Sequence, residues 1–193
     1  MRHATPLACL LIVTAAACEK KNTTPPGWDA AETQALRLID EGRNADIVTL
    51  YEPFTRDHPD FPEAHLRLGE ALRHQALELR GNPNTAALSR QLFERAVVHY
   101  EKYHSLESNP QLRSEASRLL ALTYDTRGLD DPAKTVAFAR RFLEESPKSS
   151  LAHEVLAAYL RTGAPRIEPD PAKQKALLAE ADRLDAEAKK LDR

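Results

Sequence analysis

The chain has 193 residues, 42% of them hydrophobic and 29% charged, with a formal net charge of −2. That balance fits a folded chain with an apolar core, and the near-neutral surface excludes the broad basic footprint that binds nucleic acid. Cys9 and Cys18 are too few for a disulfide framework and lack the spacing of a zinc site.

The first segment joins Arg2 to an apolar centre from Leu7 to Val13 and ends in Ala15-Ala16-Ala17 before Cys18. The sequence then turns polar at Glu19-Lys20-Lys21. A membrane-spanning helix needs about 20 apolar residues and this run offers roughly a dozen, so residues 1 to 17 read as an export signal. The segment resembles a bacterial lipoprotein signal, with Ala15 where that family's lipobox usually carries leucine. The resemblance implies cleavage after Ala17, acylation of Cys18 and a lipid anchor in a membrane. Ala15-Ala16-Ala17 also satisfies the plain small-x-small rule for cleavage, which would leave Cys18 unmodified. Cys9 has only Pro6-Leu7-Ala8 before it and no apolar centre. Glu19 stands where an aspartate favours inner-membrane retention in many diderm bacteria, so the resemblance points to the outer membrane, with the chain facing the periplasm.

Residues 18 to 27 form a tether: the polar run Glu19 to Thr24 and the pair Pro25-Pro26 cannot start a core. Fully extended, it reaches roughly 30 Å. The sequon Asn22-Thr23-Thr24 is accidental in a bacterial lipoprotein.

From Trp28 onward apolar residues recur at three and four places, so residues 28 to 193 read as one all-helical domain with no strand. The periodicity predicts helices over 29–41, 44–57, 62–80, 85–106, 111–127, 132–145, 149–162 and 171–191. Their stops fall at Gly42, His58-Pro59, Gly81-Asn82-Pro83, Asn109-Pro110, Gly128, Ser146-Pro147 and Gly163. Asp131-Pro132 and Asp170-Pro171 each place an acidic cap before a first-turn proline.

These signals are spaced as in a tetratricopeptide repeat, a helix pair recurring every 34 residues or so. Counting Trp28 as the first place, Ala35, Leu38, Gly42, Ile47, Tyr51 and Pro59 fill a whole unit in register. A second unit shows Leu68-Gly69, Leu72, Ala96 and Tyr100. A third shows Leu120-Ala121, Tyr124, Gly128, Ala139, Phe142 and Pro147, and a fourth begins with Val155, Tyr159 and Gly163. The chain resembles a tetratricopeptide lipoprotein over residues 28 to about 163. The resemblance implies a right-handed α-solenoid of about four antiparallel helix pairs, each too small to bury its seam alone. A helical bundle with chance matches is the plainer alternative.

Two departures from the repeat carry information. Between Leu72 and Ala96 lie about fifteen extra residues, and the apolar spacing continues through Ala76, Leu79, Leu88 and Leu92, so both helices of the second hairpin lengthen by about two turns. Its tip, with Arg80, Gly81, Asn82 and Asn84, is a candidate edge contact. The last segment carries Leu177, Ala181, Leu184, Ala188 and Leu191 at helical spacing, which suits a capping helix with one wet face or a helix that meets another protein.

No sequence motif for chemistry stands out. The chain has no phosphate loop, no His-Glu-x-x-His and no nucleophile elbow, and its seven histidines read as surface or seam residues. No catalytic residue, metal or cofactor is expected. In tetratricopeptide folds the first helices of the pairs line a concave groove through their second, fifth, ninth, twelfth and thirteenth places. Carried onto this sequence, the resemblance selects Glu70, Arg73, His74, Arg118, Asp125, His153 and Arg161. That lining is mixed in charge and lacks the asparagines of the family's carboxylate clamp.

The layout is similar to that of helical lipoproteins that assist outer-membrane or secretin and pilus assembly. It implies a membrane-anchored scaffold that binds a protein or peptide and no nucleic acid. A self-associating structural envelope component and an unrecognised hydrolase are the alternatives.

Overall fold

In a computed structural model, residues 24–192 are described. The export signal of residues 1 to 17, the acylation site Cys18 and the first part of the tether lie outside the described residues. The described chain is all-α, with eight helices and no strand: α1 Trp28–Asp40, α2 Asn44–Asp57, α3 Pro62–Leu79, α4 Ala86–Leu106, α5 Pro110–Tyr124, α6 Pro132–Glu145, α7 Ser150–Ile167 and α8 Pro171–Leu191.

The helix starts follow from local chemistry. Side chains of Asn109, Asp131, Ser149 and Asp170 accept the first free backbone N–H groups of α5, α6, α7 and α8. Pro62, Pro110, Pro132 and Pro171 stand in first turns, where a missing N–H leaves no bond unmade. Gly42 ends the first helix with φ 68°, a left-handed conformation that only glycine adopts without strain.

Two helix ends differ from the sequence reading by more than one residue. α5 stops at Tyr124 rather than Arg127, because Asp125 takes the backbone N–H of Arg127 at 2.8 Å and folds residues 125–131 into a tight turn. Gly128 belongs inside that turn, where a Cβ would lie 1.9 Å from the Thr123 carbonyl oxygen. α7 runs through Gly163 and Pro165 to Ile167 instead of stopping before Gly163. Gly163 and Ala164 are buried, with Gly163 packed beside Val136 and Pro132 of α6, so tertiary burial overrides two weak helix formers. The fourth pair thereby matches the second in length: α3 and α7 have 18 residues each, α4 and α8 have 21 each. α1 and α2 have only 13 and 14.

Helices pack chiefly against their neighbours in chain order. The largest core joins α1 to α5. At its N-terminal end Trp28 meets Tyr51, Phe54 and Phe61 with ring centroids 5.4, 5.2 and 4.9 Å away. A second core joins Ala121, Val136, Ala139, Leu156, Leu160 and Ala181, and Phe138 packs against both. α3 and α4 pack tightly at Gly69, where a Cβ would stand 2.7 Å from the ring of the fully buried Tyr100.

Ion pairs link four pairs of helices that are next but one in the chain. Glu32 of α1 pairs with Arg67 of α3, Glu52 of α2 with Arg95 of α4, Glu101 of α4 with Arg141 of α6, and Arg140 of α6 with Glu180 of α8. Beneath them Glu145 of α6 accepts from His104 of α4 and Ser117 of α5, each at 2.6 Å.

Candidate functional site

α1, α2 and α3 enclose a cleft of about 500 Å³ lined by Glu32, Leu36, Ile39, Tyr51, Arg67 and His74 among others. Its floor is apolar, because Ala35, Ile47 and Ala71 are the buried positions of three helices that lean together. Its lip is apolar too. Leu36 and Ile39, 65% and 57% exposed, lie on α1 a turn apart and face the opening. Large aliphatic side chains adjoining a concavity and left in water are a positive sign of an interaction surface.

A polar bridge spans one wall. The Tyr51 hydroxyl donates to Glu32 Oε1. Arg67 donates through Nε to Glu32 at 3.3 Å and through Nη1 to Glu70 at 3.0 Å. Burial first, and then the hydrogen bond to Glu32, push the Tyr51 hydroxyl far above its ordinary range, so it remains a donor. The bridge fixes the Glu32 carboxylate at the cleft wall and holds α1 against α3.

The structure brings two of the sequence-derived groove residues, Glu70 and His74, into this cleft. Arg73, on the same helix, is half-buried, and its Nε has no hydrogen-bond partner among the described residues. Arg118 is held by Glu115 of its own helix, Nε to Oε2 at 2.8 Å. Asp125 is buried, pairs with Arg127 at 3.2 Å and borders a smaller cavity of about 180 Å³ with Tyr159 and Arg166. His153 is buried, and its Nδ1 donates to the Ser149 carbonyl at 2.9 Å. Arg161 is paired with Asp182 at 2.9 Å and Asp185 at 2.6 Å, both on α8. The seven positions therefore do not form one continuous free surface.

The tip of the α3–α4 hairpin exposes Arg80, Gly81, Asn82 and Asn84. It is tied down at its base: Thr85 Oγ1 donates to the Leu79 carbonyl at 2.6 Å, and Arg80 Nη2 donates to the Thr126 carbonyl beyond α5 at 3.0 Å.

Leu36, Ile39 and Glu32 were absent from the sequence selection, although the signal was present. The fifth, ninth and twelfth places counted from Trp28 are these three residues. Among the described residues no group of three or more His, Cys, Asp or Glu side chains could hold a metal ion, and no helix is long and apolar enough to cross a membrane. No protein-family model matches the chain, and no curated protein matches it.

Proposed function

We propose that the chain is a tetratricopeptide-like scaffold that binds a segment of another protein in the cleft between α1, α2 and α3. The observation that carries this reading is the pair Leu36 and Ile39, left in water at the lip of a concave site whose polar wall is already braced. Support for stacked helix pairs comes from burial at the repeat positions. Leu68, Leu72, Ala96, Tyr100, Leu120, Ala121 and Ala139 are each no more than 1% exposed. The ion pairs that join α1 to α3 and run through α2, α4, α6 and α8 are of the kind expected of layers of alternating helices.

The same proposal places the protein in the bacterial cell envelope, acylated at Cys18 and facing the periplasm from the outer membrane. It rests there on the sequence of residues 1 to 19 alone. The activity is binding and assembly, not catalysis.

Photocrosslinking in living cells tests the cleft. A crosslinker at Leu36 captures one discrete partner, and a crosslinker at Gly81 on the hairpin tip does not. Capture from Gly81 alone would move the binding surface to the hairpin edge, and capture of the chain by itself would favour the self-associating envelope component. Mass spectrometry of the natural protein tests the anchor, since an N-terminal Cys18 without fatty acid removes it.

A further inference from the structure

The polar wall of the cleft is unbalanced in charge, and the imbalance selects an occupant. Glu32 and Glu70 face each other across the Arg67 guanidinium, which serves both: Nε at 3.3 Å from Glu32 and Nη1 at 3.0 Å from Glu70. Among the described residues lining the cleft, Arg67 is the one permanent cation, and Arg118 of α5 also acts on Glu70, so the excess negative charge comes from a further carboxylate. A third carboxylate stands beside the mouth. Glu78 Oε1 accepts from Asn44 Nδ2 at 2.6 Å; Asn44, itself a lining residue, is neutral, and Glu78 forms no ion pair among the described residues.

Next to these carboxylates the surface is aliphatic. Leu36 and Ile39 rim the opening, and the buried Ala35, Ile47 and Ala71 form its base. A segment that carries a cation between aliphatic side chains satisfies both halves of the site at once. An acidic segment or an anionic lipid headgroup would bring like charge against Glu32 and Glu70 in a partly desolvated cleft, a strongly unfavourable placement.

We propose that this cleft docks a basic, aliphatic segment of a partner protein, with a lysine or arginine at Glu70 Oε1, the oxygen that Arg67 leaves open, and flanking aliphatic side chains against Leu36 and Ile39. The inference rests on reading the cleft as the binding surface and adds the chemistry of what fills it. A lysine ammonium or arginine guanidinium donates to carboxylate oxygens at the wall, and the aliphatic neighbours remove Leu36 and Ile39 from water.

The test is fluorescence anisotropy of the purified full chain with three short labelled peptides that combine leucine with lysine, with glutamine or with glutamate. The leucine–lysine peptide binds about tenfold or more tighter than the leucine–glutamine peptide at low salt, and added salt narrows the gap by screening. Glu70→Gln abolishes that preference. Leu36→Ser, at an exposed position where folding is not at stake, weakens both peptides. Equal binding of the lysine and glutamine peptides, tightest binding of the glutamate peptide, or a lysine preference that survives Glu70→Gln would each overturn the proposed occupant. If Leu36→Ser still weakens the glutamine peptide, the cleft stands as a binding surface and only its charge selectivity falls. Binding of none of the three peptides overturns the inference, and crosslinking from Leu36 then decides the cleft by itself.

Discussion

His65 of α3 and His99 of α4 meet across the hairpin seam with their Nδ1 atoms 3.0 Å apart and their rings stacked at 5.3 Å. His65 Nε2 donates to the Pro59 carbonyl at 3.0 Å, so in the neutral ring its Nδ1 accepts and His99 Nδ1–H is the donor. Burial lowers the pKa of both histidines, and the facing His65 and nearby Arg95 lower His99 further, to about 4.

A base held below its ordinary value binds fewer protons folded than unfolded, so stability is complete above about pH 6.5 and falls as the pH drops toward about 4. The expected loss from His99 is on the order of 3 kcal/mol, read as a fall in Tm across that window. His99→Gln should flatten the pH dependence there. A slope unchanged by that substitution would assign the acid sensitivity to other groups.

Two tyrosines should respond differently to loss of the hydroxyl: only one of them should lose stability. Tyr100 is fully buried and its hydroxyl has no hydrogen-bond partner among the described residues, so Tyr100→Phe should leave stability unchanged or raise it by about 1 kcal/mol. The Tyr51 hydroxyl serves Glu32, so Tyr51→Phe should lower stability by about 1–2 kcal/mol. Urea midpoints of the two variants against the parent chain check the pair of signs.

Gly69 leaves the space that the Tyr100 ring fills. In Gly69→Ala the new methyl would stand 2.7 Å from that ring, which has no room to retreat. The overpacking costs about 1–3 kcal/mol and outweighs the roughly 1 kcal/mol by which alanine favours a helix. Gly69→Ala in a Tyr100→Leu background should be much less costly, and a double-mutant cycle measures the difference.

Glu145 is only 13% exposed at its side chain and serves His104 and Ser117 while Arg113 Nε stands 3.8 Å away. Glu145→Ala should destabilise by about 2–3 kcal/mol, because it orphans the His104 and Ser117 donors where α4, α5 and α6 meet. Glu144→Ala, at the exposed neighbouring position, should change stability by less than about 0.5 kcal/mol.

Helix positions were legible in the sequence because the stops are written in Gly, Pro and cap residues that act locally. Asp131-Pro132 and Asp170-Pro171 mark starts that the structure shows with the expected side-chain caps. The ends of α5 and α7 were not legible, for opposite reasons. At Asp125 a side chain competes with the helix for a backbone donor, and at Gly163 the packing of α6 keeps the helix going. Of the cleft, Glu70 and His74 followed from repeat counting, and the same count extended to α1 would have given Glu32, Leu36 and Ile39. Arg67 bridging two helices depends on how α1 and α3 lie across each other, which spacing along a chain does not encode. The His65–His99 contact was hidden similarly: each histidine reads as ordinary alone, and only hairpin closure makes them a pair.

Trp28 is the chain's one tryptophan, and it sits in an aromatic nest made wholly of α1, α2 and the residue before α3. Its emission is therefore a local signal for one end of the described helices, whereas circular dichroism averages over all eight helices of the described residues. With packing passed mainly from each helix to the next, the two signals should part company on gentle heating. The gap between them measures how far that extremity frays before the rest lets go.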